Sequence, residues 1–203
     1  ERWLGRARGY HDSFLVQLWD GKNEEFIVNR ISRNGEKVEV FRRKEEFSRV
    51  LFDRYGKASF VKVTNKNKEN KGEKFIYDVR NGEEQKVWTC QWDDPCLLRW
   101  FDDKNNRLLI RTNVESNFEH LAWFNLGDKA FHTIHQDPKK YADFTFGNFV
   151  YDEVKNTLTT ATASYYGDYL RTYGVEPFIK NHVDWLQSKL GANNLNLQLP
   201  ELV

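Results

Sequence analysis

The feature that most constrains this chain is a short pattern that occurs three times at nearly constant spacing. Phe52-Asp53, Phe101-Asp102 and Tyr151-Asp152 each close a short apolar run and lead into turn-forming residues, Gly56, Asn105-Asn106 and Asn156. A second strand-like run follows each: Ala58 to Thr64, Leu108 to Thr112 and Leu158 to Ala163. The offsets between the pairs are 49 and 50 residues. A hairpin recurring at that interval implies units that bury their faces against neighbours, and with strands in every unit it implies propeller blades.

A second hairpin interleaves with the first. Phe26-Ile27-Val28 leads through Asn34-Gly35 to Val38-Glu39-Val40-Phe41, and Lys74-Phe75-Ile76-Tyr77 leads through Asn81-Gly82 to Lys86-Val87-Trp88. His120 to Phe124 leads through Gly127-Asp128 to Phe131-His132-Thr133-Ile134. Asn-Gly between two strand-like runs is the strongest local hairpin signal, because both residues tolerate positive φ. Each unit then reads as four antiparallel strands, the content of a blade. The expected fold is all-β, with β-propeller-type four-stranded antiparallel blades in about four units at a period of about 49 residues. The expected organisation is blades over 1–175, an amphipathic helix over 176–191 and a final strand or tail over 192–203.

The helix follows from a change of period. After Glu176-Pro177, the residues Phe178, Ile179, His182, Val183, Leu186 and Leu190 fall on one helical face, and Gly191 follows. Proline at the first helical position and glycine past the last fit the expected asymmetry. Its polar residues include only Lys180, Lys189 and His182 as bases, so the helix is expected to pack on protein. Asn65 to Lys74 is a lysine- and asparagine-rich stretch, expected to be a solvated loop, with an anionic docking patch as the other reading.

Charge and composition exclude several partners. The 203 residues carry 31 basic and 30 acidic side chains, a net charge of +1, so neither nucleic acid nor an anionic membrane surface is expected. No apolar run approaches the roughly 18 residues that span a bilayer. A chain with no methionine and Glu1 at its start is expected to be a fragment, a processed product or the ordered part of something longer. The reading favours cytoplasm over secretion.

No motif for catalysis stands out. None of the serines has the Gly-x-Ser-x-Gly flanking of an α/β-hydrolase, and no glycine-rich phosphate loop occurs. His11-Asp12-Ser13 has triad residue types, but neighbours on a strand point to alternate faces and cannot form a relay. Cys90, Cys96, His132 and His135 are zinc-ligand types, yet residues three apart on a strand face opposite ways. The two cysteines read as free thiols of a cytosolic chain, with a Cys90–Cys96 disulfide as the other option. Asp53, Asp102 and Asp152 could ring a channel mouth, but the side-chain-to-backbone bonds that aspartate makes in turns explain their recurrence better. No catalytic, cofactor or metal residue is therefore assigned, and no cofactor is expected.

The stretches Phe101-Asp102-Asp103-Lys104-Asn105-Asn106-Arg107-Leu108-Leu109-Ile110 and Phe52-Asp53-Arg54-Tyr55-Gly56-Lys57 resemble the hairpin repeats of prolyl oligopeptidase family propellers. The branch that they resemble most is the acylaminoacyl-peptidase and dipeptidyl-peptidase-like one. The order of features is similar too: Phe47 to Lys62, a strand ending in Trp88, Asn125-Leu126, Asp137-Pro138, Tyr151-Asp152 leading to Leu158, and the helix of Val183 to Gly191. The likeness runs over about residues 26–199. It implies a non-catalytic propeller segment of a serine peptidase, gating peptide access to an α/β-hydrolase domain that this chain lacks. It carries no catalytic residue onto any position here. The alternative is a stand-alone propeller-like interaction module or a subunit of a larger assembly, with protein partners.

Overall fold

The structure, a computed structural model, describes residues 1–7, 10, 12–53, 55–64, 72–91, 93–139, 142–152, 157–166 and 170–190. These residues form antiparallel sheets and one helix. The first sheet holds β1 (Arg2–Arg6), β2 (Ser13–Asp20), β3 (Glu25–Ser32) and β4 (Lys37–Arg43). The second holds β5 (Arg49–Phe52), β6 (Ala58–Thr64), β7 (Lys74–Asp78) and β8 (Gln85–Cys90). The third holds β9 (Leu97–Asp102), β10 (Arg107–Thr112), β11 (His120–Asn125) and β12 (Phe131–His135). In each, strand order equals chain order. The fourth sheet has three strands among the described residues, β13 (Asp143–Asp152), β14 (Thr157–Tyr166) and β15 (Leu170–Gly174), followed by α1 (Pro177–Leu190). The expected final strand or tail over 192–203, most of the lysine-rich loop and His11 lie outside the described residues.

The chain divides into two compact units, Glu1–Asp94 and Pro95–Val203. In the first, Leu15 and Val28 of one sheet meet Val50, Phe52, Val61 and Val63 of the other. Phe47, in the β4–β5 connection, is buried in the same core with Phe26 and Phe41 edge-on to its ring at 6.3 and 5.4 Å. A loop residue thus fills the core, where burying an aromatic ring takes a large apolar surface out of water.

The Asn-Gly hairpins form where expected, by a different conformation. Gly35 and Gly82 both have φ 86°, whereas Asn34 and Asn81 keep negative φ. Asn34 instead serves through its side chain: Oδ1 accepts from the Glu36 N–H at 3.1 Å and contacts Ser32 Oγ. A glycine with positive φ closes both loops, and in the first the asparagine adds hydrogen bonding through its side chain.

In the second unit, Leu109 and Leu121 of the third sheet pack with Phe144, Ala163 and Tyr165 of the fourth. α1 lies on β15 and touches β14. Its contact depends on Gly174: a Cβ there would come within 2.7 Å of the Ile179 carbonyl carbon and closer still to the Lys180 backbone. Gln187 Nε2 donates to the Thr172 carbonyl at 3.0 Å, satisfying a backbone acceptor of β15. Val183 is buried against the sheet. The expected apolar face needs correction, however. Phe178, His182 and Leu190 are exposed, and so is Trp185. The docked stripe is narrower than the sequence pattern, since a helix held at one edge strand cannot bury a full third of its circumference.

β1 and β2 carry no clear sequence signal. β2 turns Ser13, Leu15 and Gln17 inward and Phe14, Val16 and Leu18 outward, so the more apolar set faces away from the core.

Candidate functional site

The repeated aspartates act on their own hairpins. Asp53 Oδ1 accepts from the Tyr55 and Lys57 N–H groups at 2.8 and 2.9 Å. Asp102, buried, accepts from the Asn105 N–H at 3.2 Å, from Asn105 Nδ2 at 2.8 Å and from Arg107 Nε at 2.9 Å. Arg107 in turn lies over the Trp123 ring, 4.1 Å from its centroid. These carboxylates are occupied in closing turns rather than presented to a ligand. For Asp152 only its place at the end of β13 is described.

The two cysteines are joined in a disulfide, which corrects their reading as free thiols. Cys90, Asp94 and Cys96 form a tight group of potential donors, with ligand atoms within 4.8 Å of one another. Both sulfurs are consumed by the bond, and a disulfide sulfur is no thiolate ligand. His132 and His135 are not in that group. His132 is exposed on β12 while His135 turns inward, the opposed orientation that the spacing implies. Of His11-Asp12-Ser13, Ser13 is buried at the start of β2.

What the sequence did not single out is a polar cluster inside the second unit. His135 ends β12, Tyr165 lies on β14 and Tyr173 on β15; Asp137 is two residues past β12. Because Ala163 pairs with Tyr173 and Tyr165 with Arg171, the two tyrosines are diagonal neighbours on one face. Their ring centroids lie 5.9 Å apart, and His135 sits 5.6 and 5.5 Å from them. The Tyr165 hydroxyl donates to the His135 carbonyl at 2.8 Å and lies 2.9 Å from His135 Nδ1. One hydroxyl has one proton, so Nδ1–H is the donor in the second bond and Nε2 carries the lone pair. Tyr173 donates to Asp137 Oδ1 at 3.1 Å, an oxygen that also accepts from the Lys139 N–H at 3.2 Å.

Burial sets the protonation of this cluster. It lowers the His135 pKa below 6.5, an effect that the nearby Asp137 partly offsets. Burial also raises both tyrosines, assisted by Asp137, with Tyr173 pushed up to about 12. Neutral imidazole and neutral phenols are what a hydrogen-bonded interior lock requires. With both hydroxyls un-ionised and donating, the cluster joins three strands and offers no activated nucleophile. The signal that could have found it is the pair of Tyr residues on consecutive strands beside Asp137-Pro138.

No helix among the described residues is long and apolar enough to cross a membrane. No family model matches the chain, and no curated protein matches it. Among solved structures it is similar to an uncharacterized protein of Listeria monocytogenes, with 10% identity and a TM-score of 0.45. That match covers 86% of this chain and 66% of the Listeria chain, so the chain spans less than two thirds of its neighbour's length.

Proposed function

We propose that this chain is a run of consecutive β-propeller blades, the non-catalytic segment of a serine peptidase of the prolyl oligopeptidase type. In that role it gates flexible peptides toward a hydrolase domain outside this sequence. The observation that carries the reading is the succession of antiparallel meanders, starting at Arg2, Arg49, Leu97 and Asp143, each with strands in chain order. The Asp-capped hairpins of Asp53 and Asp102 occupy the same place, between first and second strands, in two of them. Blades satisfy their faces only against neighbours, which suits a scaffold that shapes access without doing chemistry. The Cys90–Cys96 bond fits an oxidising compartment.

A stand-alone interaction module is the second reading, favoured by the outward Phe178 and Trp185 of α1, 71% and 59% exposed. Treating the protein isolated from its own cells with a fluorophosphonate probe, followed by intact-mass measurement, separates the two. The peptidase reading expects one adduct on a polypeptide well above 24.2 kDa, the mass of this chain. An unlabelled species at that mass leaves the interaction module.

A further inference from the structure

α1 has an outward apolar side as well as an inward one. Val183 is buried against the sheet and Gln187 bonds to β15, which fixes the inward side. At the pitch of an α-helix, Phe178, His182 and Trp185 fall within about 60° of one another and roughly 130° from Val183. They form one stripe that points away from the sheet: Phe178 is 71% exposed, Trp185 59%, and His182 is exposed between them. The stripe is ordered before anything covers it. The Phe178 and His182 rings lie 4.3 Å apart, and His182 Nδ1–H donates to the Phe178 carbonyl at 3.0 Å. Polar residues suffice on the outer side of a helix, so adjoining rings there mark a surface that something covers.

The chain itself supplies a segment of matching chemistry. α1 ends at Leu190, and residues 191–203, outside the described residues, continue from there. Gly191, Asn193 and Asn194 are residue types that reverse a chain past a helix end. Leu195, Leu197 and Leu199 then alternate with Asn196 and Gln198, the pattern of an extended segment with one apolar side. No charged side chain occurs from Gly191 to Pro200, although 30% of the whole chain is charged. Segments that stay in water are richer in charge and poorer in leucine. Lengths agree as well. Leu195 to Leu199 spans about 13 Å when extended, and Phe178 to Trp185 spans about 10.5 Å along the helix.

We propose that residues 195–199 fold back along α1, antiparallel to it, and cover the Phe178–His182–Trp185 stripe with their three leucines. A reversal at 191–194 sets Leu195 level with Leu190. Leu197, about 7 Å further on, then meets Trp185, and Leu199 meets His182 and Phe178. Asn196 and Gln198 keep to the water side. The two parts belong to one chain and are joined by a short loop, so a small contact is enough to hold them together. The inference is independent of the blade reading, and it takes from the interaction-module reading the surface that favours it.

The test is NMR of the full chain with labelled leucine methyls. Nuclear Overhauser contacts are expected from the Leu197 methyls to the Trp185 indole, and from the Leu199 methyls to the Phe178 or His182 ring. Leu197→Ser is expected to move the Trp185 indole N–H resonance and to speed its exchange with water by at least about tenfold. Asn196→Ser, on the other side of the segment, is expected to leave both as they are. The contacts in the native chain decide the matter even where a variant disturbs β13–β15. Their absence overturns the proposal, and so does an equal response to the two substitutions. Contacts seen only between copies, in a sample mixed from labelled and unlabelled protein, also overturn it and assign the stripe to a second copy of the chain.

Discussion

The paired hairpins at Asp53 and Asp102 allow one motif to be measured in two surroundings. Asp53 accepts two backbone N–H groups at an exposed turn, much as an N-cap side chain does. Replacing it by alanine should cost about 1 kcal/mol. Asp102 closes a turn of the same kind, but its side chain has no exposure and it also receives Arg107 Nε at 2.9 Å. Arg107 is itself 32% exposed and held over Trp123, so it cannot move fully into water without giving up the ring. Asp102→Ala leaves that guanidinium and the Asn105 amide without their acceptor, a loss of about 3 kcal/mol. Asp102→Asn, which keeps an acceptor but drops the charge, should fall between.

Urea unfolding followed by tryptophan fluorescence reads the difference. With a slope of about 2 kcal/mol/M for a unit of this size, the midpoints should fall by about 0.5 M for Asp53→Ala and about 1.5 M for Asp102→Ala. Equal shifts would refute the argument that burial and the Arg107 bond, rather than the turn alone, set the value of this carboxylate. An Asp102→Asn variant as stable as the native chain would refute the charge contribution on its own.

Other consequences follow from the same geometry. Gly174→Ala should destabilise by about 1–3 kcal/mol, because the added Cβ forces α1 off β15; loss of amide protection across 177–190 would show it. Reducing the disulfide, or Cys90→Ser with Cys96→Ser, opens a loop of about seven residues and should cost about 2.4 kcal/mol on the chain-entropy model, read as a lower Tm. Tyr165→Phe removes the donor to the His135 carbonyl and the acceptor of Nδ1–H, with an expected loss of about 1–3 kcal/mol in chemical unfolding. The pH profile of stability should slope on both sides: His135 is held below 6.5 in the fold, so its contribution is complete above that value and declines as pH falls beneath it. Tyr165 and Tyr173 are raised above 10, so theirs is complete below pH 10 and declines as pH rises through the folded values.

The legible part of this fold was its turns. β6 runs over Ala58–Thr64, as the pattern implies, and β10 begins one residue before Leu108. Aspartate and glycine at fixed offsets have few conformational options, so they mark hairpins reliably. Alternation was a poorer guide. β2 has apolar residues on both faces, and its inward set includes Ser13 and Gln17, so neither its presence nor its orientation could be read. The helix boundaries followed from Pro177 and the terminal glycine, whereas its buried face did not, because Phe178, His182 and Leu190 share an angular sector with Val183 but lie beyond the reach of β15. The His135 cluster escaped for a related reason: Tyr165 and Tyr173 meet only through the register of β14 on β15, which spacing alone does not specify.

Strands buried on both faces show which polar residues are scaffold and which are not. β14 is buried from Thr160 to Tyr165, and its hydroxyls are satisfied by adjacent strands: Ser164 with Thr172 at 2.8 Å, Thr162 with Asn148 Nδ2 at 2.8 Å. A hydroxyl or amide can be matched by a similar group one strand away, so such positions are consistent with the sheet that contains them. β6 is buried just as continuously from Ala58 to Val63, yet it carries an ammonium at Lys62. Its register partner on β5 is a second cation, Arg49, while Asp94 acts on it with the opposite sign. Folding alone would favour a neutral side chain at that position, as the large cost of interior charge dictates. The Asp102–Arg107 pair meets the same cost within one hairpin, where the two charges answer one another at 2.9 Å and Arg107 keeps part of its surface in water.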